Sequence, residues 1–381
     1  SGKGLPSYKS TGADEDQTKP SHDTGGCIMA HIKSIRKIYS DGRHNAFTDI
    51  EIWKGAYYVT FRNAASHARP GHYGDVLVIR SRDLESWEVC ARLSVGEEHD
   101  DRDPALLNMG DELGVFFASS SARVPGALLY EGPSSKSNRA IQSYGAFTSD
   151  GVTWSAPQPV YEPDMWVWQV EGFRGVYYGA VQNLERRFWL IRSTDGRHWE
   201  TVSEFPSEAF KPTEAGLWVT EDEVMHMVIR ALGNPNMALL GRNEPPYTDW
   251  KLTELNYTVH SPVIRPVGDA LWVAGRAFSE QLPLSLVPPE PSPEKIASLT
   301  RRDERLAKTP QDWHTAIWRI VGDQLEPVLV LPSRGDNAYP GMVSEKDRVL
   351  VSYYSQHDVD NGPEPKSGEL ASEIYLAEIT L

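Results

Sequence analysis

Cysteine is scarce: Cys27 and Cys90 are the only two in 381 residues. Two thiols cannot build a disulfide framework or a four-thiolate metal site, and leave room for one bridge at most. Long apolar runs are missing too. Nothing approaches the roughly 18 consecutive apolar residues of a spanning helix, and the opening SGKGLPSYKSTGADEDQTKPSHDTGG lacks the apolar core of a signal peptide. A basic excess is absent, with 38 Lys and Arg against 53 Asp and Glu for a net charge of −15. No global positive field exists to hold nucleic acid or an anionic membrane, so neither is expected as a partner. His44, His67, His72, His260 and His357 are scattered with no close metal-ligand spacing such as H-E-x-x-H. No metal or cofactor is expected. The compartment is left open.

Helical patterning is nearly absent, residues 293–308 (PEKIASLTRRDERLAK) being the one stretch that reads as helix. Its Pro-rich approach marks a segment at about 281–310 as an insertion on a β scaffold. Residues 1–27 read as an irregular polar tail. The rest, 28–381, is a succession of short apolar and aromatic runs such as AYYVTFR, DVLVIRS, GVFFAS and RVLVSYYS, separated by Gly, Asp, Asn or Pro. That is the pattern of many short strands.

Two repeats organise those strands. SRDLESW (81–87), TSDGVTW (148–154) and STDGRHW (193–199) each place Ser or Thr first, Asp third and Trp seventh, with YTDW (247–250) as a degenerate fourth. Asp can staple a hairpin turn through backbone N–H groups while Trp wedges between sheets, so these are structural residues. Their spacing is that of four-stranded propeller blades. In the second repeat a polar or aromatic residue opens one strand and another closes the next, 15 to 18 residues later: His44 to Arg62, Asp103 to Ser119, Glu214 to Arg230, His260 to Arg276, Tyr339 to Tyr354. Antiparallel neighbours put such residues at one edge of each sheet, so all would converge on one channel mouth. Trp166, Trp168 and Tyr178 supply aromatics there in the third blade, either as core or as a sugar-stacking platform, the second being favoured. The count predicts an all-β, six-bladed propeller with seven blades as runner-up. The strand at 28–40 is expected to complete the last blade by pairing the two chain ends.

The Asp-box copies, the blade count and the converging residues resemble the sialidase-like superfamily of propellers over about residues 28–381. RHNAFTDI (43–50), FRNAASH (61–67), DDRDPAL (100–106), PTEAGLWVTEDEVMHMVIR (212–230), SRGDNAYPGM (333–342) and VSYYSQH (351–357) look like a bacterial group labelled sialidase-like or BNR-repeat proteins. The resemblance implies Tyr339 as nucleophile, Glu214 as its base, and Arg230 and Arg276 among the anion-binding arginines. The family's first such arginine would fall near Arg43, where the usual R-I-P text reads R-H-N. Its acid/base Asp would fall in SHARPGHYGD, which offers His67, His72 and Asp75; His67 is taken as the replacement. Arg62, Arg102, Asp103, His44, His260 and Tyr354 complete the expected binding set, with Asp101, Arg102 and Asp103 also readable as an ion-pair cluster. The expectation is an exo-acting glycoside hydrolase that removes a terminal, anionic sugar. Two alternatives use the same mouth: a polysaccharide lyase acting on uronic-acid glycans, and a non-catalytic lectin.

Overall fold

A strand sends successive side chains to opposite faces, and in the run 57–62 Tyr57, Val59 and Phe61 enter one apolar cluster while Tyr58 enters another, so both faces are covered. In the computed structural model the described residues are 30–131, 138–206, 210–233, 236–289, 313–358 and 371–381, with positions 292, 294 and 297. The expected tail, Cys27 and almost all of the 293–308 helix lie outside them. The described residues form six four-stranded sheets, antiparallel throughout.

Blade 1 is β2 (His44–Trp53), β3 (Ala56–Ala64), β4 (Gly74–Ser81) and β5 (Glu88–Leu93). Blade 2 is β6 (Asp100–Asn108), β7 (Leu113–Ala122), β8 (Arg139–Thr148) and β9 (Gln158–Pro159). Blade 3 is β10 (Met165–Phe173), β11 (Val176–Asn183), β12 (Phe188–Ser193) and β13 (Glu200–Glu204). Blade 4 is β14 (Pro212–Val219), β15 (Met225–Ala231), β16 (Leu239–Asn243) and β17 (Lys251–Glu254). Blade 5 is β18 (His260–Val267), β19 (Ala270–Phe278), β20 (Trp313–Val321) and β21 (Gln324–Val330). Blade 6 is β22 (Gly341–Glu345), β23 (Arg348–Ser355) and β24 (Glu373–Thr380), completed by β1 (His31–Tyr39). The first strands touch in order, β2 to β6 to β10 to β14 to β18 to β22 and back to β2, which makes the ring. The architecture is therefore the six-bladed propeller, not the seven-bladed one, and β1 pairs with β24 from His31↔Thr380 to Tyr39↔Ile374.

An apolar cluster fills each seam between blades. Trp53, Tyr58, Val76 and Val78 of blade 1 meet Leu106, Val115 and Phe117 of blade 2, and the other seams repeat the arrangement. The repeated turns sit between the third and fourth strands of blades 1 to 3. Asp150 Oδ1 accepts from the N–H groups of Val152 and Thr153 at 2.8 and 2.7 Å, and Thr148 Oγ1 from that of Gly151 at 2.9 Å. Asp83 and Asp195 make the same bonds. The fourth turn position needs positive φ, which Gly151 and Gly196 take at 73° and 71° without the Cβ penalty, while Leu84 takes 63° and is held by its buried side chain. Each motif Trp packs into the seam with the preceding blade: Trp87 against blade 6, Trp154 against blade 1, Trp199 against blade 2. Trp250 does likewise against blade 3, stacked on Phe205 at 4.3 Å.

Candidate functional site

Innermost strands carry an extra residue where they reach the mouth of the ring. Register shifts fall between Ala46 and Asp49, Arg102 and Ala105, Val167 and Gln169, Pro212 and Ala215, and His260 and Val263. Such bulges re-aim a side chain out of the ladder. Pro104 and Pro262 directly follow two of the re-aimed residues and have no N–H to give a ladder bond. The five bulges turn in Phe47, Asp103, Trp168, Glu214 and Ser261; Tyr339, two residues ahead of β22, completes one residue per blade, and together they line a cavity of about 480 Å³. Phe47, Asp103, Ser261 and Tyr339 hold φ of 64°, 53°, 50° and 47°. Non-glycine residues in this region cost about 1–3 kcal/mol each and concentrate at working sites.

Glu214 is the hub on one side. Its Oε1 accepts from Tyr339 Oη at 3.0 Å and from Arg230 Nη1 at 2.7 Å, and its Oε2 from the N–H and Oγ of Ser261, both at 2.9 Å. Burial alone would push this carboxyl up, but the Arg230 charge and these bonds outweigh it and bring it down to about 2. Burial, then Asp103 and Glu214, push the Tyr339 hydroxyl well above the usual phenol range, so it is a neutral donor.

Asp336 is the hub on the other side. Its Oδ2 accepts from His67 Nδ1 at 2.5 Å and His44 Nε2 at 2.9 Å, and its Oδ1 from Tyr354 Oη at 3.2 Å. Burial would raise this carboxyl; the two histidines overcome it and hold it well below the carboxylate range. His44 is fully buried, and burial drives it down to about 4, leaving it neutral. Edge contacts from Phe47 to His67 at 5.5 Å and to Tyr339 at 4.9 Å join the two hubs.

Of the predicted residues, His67, Arg102, Asp103, Trp166, Trp168, Glu214, Arg230, Arg276, Tyr339 and Tyr354 line this cavity. Arg62 stands behind it, fully buried, with Nε on Asp100 at 2.8 Å and Nη1 on the Ser66 carbonyl at 2.9 Å. It ties down the loop that carries His67. His44 likewise sits behind, on Asp336. His260 is packed between Phe278 and Trp313, where its Nδ1 meets Arg276 Nη2 at 3.0 Å. Tyr178 lies elsewhere, edge-on to Tyr247 at 5.4 Å in the seam with blade 4. The second strand of blade 3 runs on past it to Asn183, so Gln182, paired with Trp166 in register, takes the mouth position. The sixteen-residue spacing counted from Trp166 already points to Gln182.

Asp336, Arg139, Arg186, Phe47 and Ser261 line the cavity without having been singled out as site residues. Asp336, Phe47 and Ser261 share or adjoin the motifs that carry the other site residues. Arg139 begins the third strand of its blade, and Arg186 sits in a turn, outside the two-strand repeat.

Among the described residues, His44, His67 and Asp336 bring three metal-competent ligand atoms within 4.8 Å of one another. The buried Nδ1 of His44 has no partner. A metal-ligating imidazole ordinarily donates from its second nitrogen, so the group fits a hydrogen-bonded His–Asp–His set better than a metal centre.

No protein-family model and no curated protein sequence matches the chain. Solved structures match in shape. A protein of unknown function from Dyadobacter fermentans DSM 18053 superposes with a TM-score of 0.66 at 17% identity, over 93% of this chain and 100% of that one. Trypanosoma rangeli sialidase in complex with sialic acid gives 0.58 at 11%, over 93% of this chain and 58% of that one. The phage phi92 endosialidase gives 0.58 at 9%, over 91% and 69%. The chain thus spans little more than half the length of the trypanosomal enzyme. At such identities the likeness shows the fold alone, a six-bladed propeller.

Proposed function

We propose that the chain is an exo-acting glycoside hydrolase that removes a terminal anionic sugar, with Tyr339 as nucleophile, Glu214 as its base and His67 as general acid. The Tyr339–Glu214–Arg230 chain of hydrogen bonds at the mouth of the cavity carries this reading. A neutral phenol approaches an anomeric carbon beside a carboxylate without the repulsion a carboxylate nucleophile would meet, and Tyr is the nucleophile in one exception to the two-carboxylate scheme. Glu214, held at low pKa, does not ionise a resting phenol. Proton transfer accompanies attack: as Tyr339 Oη bonds to the anomeric carbon, its proton passes to Glu214 and the bond to the leaving oxygen breaks. His67, oriented by Asp336 through Nδ1, delivers the proton from Nε2 to that oxygen. In the second half, water attacks the same carbon, His67 takes its proton, and Tyr339 leaves with the proton stored on Glu214. Arg276 and Arg230 hold the anionic group.

The test is a pair of variants assayed on one acidic aryl glycoside. Tyr339→Phe removes the attacking oxygen and keeps the ring contact with Phe47, so turnover falls by orders of magnitude while binding survives. His67→Ala costs about 10²–10⁴-fold, less with an activated aryl leaving group that needs no proton. Wild-type rates in Tyr339→Phe would sink the mechanism. The His67–Asp336 pair supports a second reading, elimination from a uronic-acid glycan with His67 as base. Release of an ultraviolet-absorbing unsaturated uronate, undiminished in Tyr339→Phe, would select it.

A further inference from the structure

The cavity has more cationic groups than one carboxylate needs, and they stand around the ring, with Arg186 in the β11–β12 turn of blade 3 between two opposed pairs. Arg230 of blade 4 and Arg276 of blade 5 flank Glu214 and Tyr339. Arg102 and Arg139 belong to blade 2, which the ring order sets opposite blade 5. Arg102 is already matched, its Nη1 meeting Tyr130 Oη at 2.8 Å and Asp100 at 3.2 Å. Arg139 is not. Its Nε and Nη2 both go to the Ser120 hydroxyl, at 3.0 and 2.9 Å, and among the described residues no carboxylate pairs with it. A guanidinium has five donors in a fixed fork, so its remaining N–H groups have no fixed acceptor although the group lines the cavity. Burial is the main force against its charged form, Arg102 adds to it, and Tyr130, Asp100 and Asp103 offset it only in part, from a distance and without a bond to the fork. It is also rigidly placed: the guanidinium lies over Trp166 at 4.7 Å, Trp166 stacks on Trp168 at 4.9 Å, and Trp168 approaches Tyr339 at 6.5 Å.

A line of rings therefore leads from the proposed nucleophile to an unmatched cation, across the cavity from Arg276. We propose that the substrate is an acidic oligosaccharide with two anionic groups, one on the sugar over Tyr339 and facing Arg230 and Arg276, the other on the adjoining sugar and held by Arg139 at the end of the Trp168–Trp166 stack. This rests on the hydrolase reading above and adds the substrate class. The second group is a carboxylate or a sulfate; both suit the fork of a guanidinium.

The test is calorimetric titration of the full chain with three disaccharides: glucuronyl-N-acetylgalactosamine, its 6-sulfate, and digalacturonate. A charge-assisted bond of ordinary strength makes a doubly anionic ligand bind about ten-fold or more tightly than the singly anionic one. The sulfated and dicarboxylate ligands distinguish the two sources of the second charge. In Arg139→Gln the ratio of the two dissociation constants falls toward one, whereas Arg139→Lys, which keeps the charge, keeps much of the preference. Equal affinities in the wild-type chain, or a preference that survives Arg139→Gln, would overturn the proposal and leave the single-anion hydrolase standing. Failure of all three ligands to bind, with acidic monosaccharides failing too, would remove the acidic-glycan reading itself and this proposal with it.

Discussion

Of the three carboxyls that line the cavity, Glu214 and Asp336 are held ionised by their partners, and Asp103 alone is pushed up, to about 7. Burial is the main cause; Arg102 opposes it and Glu214 adds to it. The sign of the effect follows. Below pH 7 Asp103 is neutral and the arginines face two ionised carboxylates, Glu214 and Asp336; above it a third negative charge faces an acidic substrate. KM for an acidic glycoside is expected to rise as pH passes upward through 7, with kcat changing less, and Asp103→Asn to flatten that rise. Steady-state kinetics on either side of pH 7 checks it, and an unchanged rise in the Asn variant would assign the titration to another group. Tyr339, Glu214 and Arg230 were legible because repeat-equivalent positions in neighbouring strands face one mouth. Asp336 was not singled out although it stands three residues before Tyr339, because what gives it meaning is His67, 269 residues away in sequence. Tyr178 was misplaced because the aromatic text of β11 hides where the strand stops.

At the level of the strand, the bulges re-aim the ring of side chains into the cavity, and they leave the innermost backbones almost touching. A Cβ on Gly341 would lie 2.4 Å from the Ile50 nitrogen and 2.6 Å from the Asp49 Cα, in the first strand of the next blade. One on Gly216 would lie 2.6 Å from the Pro262 carbonyl oxygen. Backbone cannot yield as a side-chain tip does. Gly341→Ala is therefore expected to cost at least the roughly 1–3 kcal/mol of an overpacked core, and to lower activity as well, since the displaced backbone leads directly from Tyr339. Gly172→Ala is the control, its new methyl meeting nothing closer than 3.4 Å. Urea unfolding of the two variants checks the difference. The strands and the Asp turns were readable from period and spacing, because both depend on neighbours in sequence. The bulges were not, since a two-residue period cannot announce its own interruption, although Asp103-Pro104 and Ser261-Pro262 mark two of them.

For the whole molecule, closure depends on β1. Ile32 and Ile35 pack into the seam between blades 5 and 6, and Ile38 and Tyr39 into that between blades 6 and 1. A fully buried side chain of this size contributes about 1.5–3 kcal/mol, and even discounted for partial burial four of them are a large share of the usual margin of about 5–15 kcal/mol. Deleting residues 1–39 is expected to lower the midpoint of thermal unfolding sharply and to drive association through the bared edge of β24. Calorimetry and size-exclusion chromatography read both effects; a monomer with an unchanged midpoint would show that the ring needs no fourth strand there. The closure has a further meaning in time. His31 is among the first described residues to leave the ribosome, and its partner Thr380 is made 349 residues later. Joining ends so far apart costs only about 3 kcal/mol more than closing a ten-residue loop, so distance along the chain is no great obstacle. Order of synthesis is. Five blades can assemble as they emerge, while the earliest strand waits unpaired for the partner made last, and the ring is completed only after residue 380 has been made.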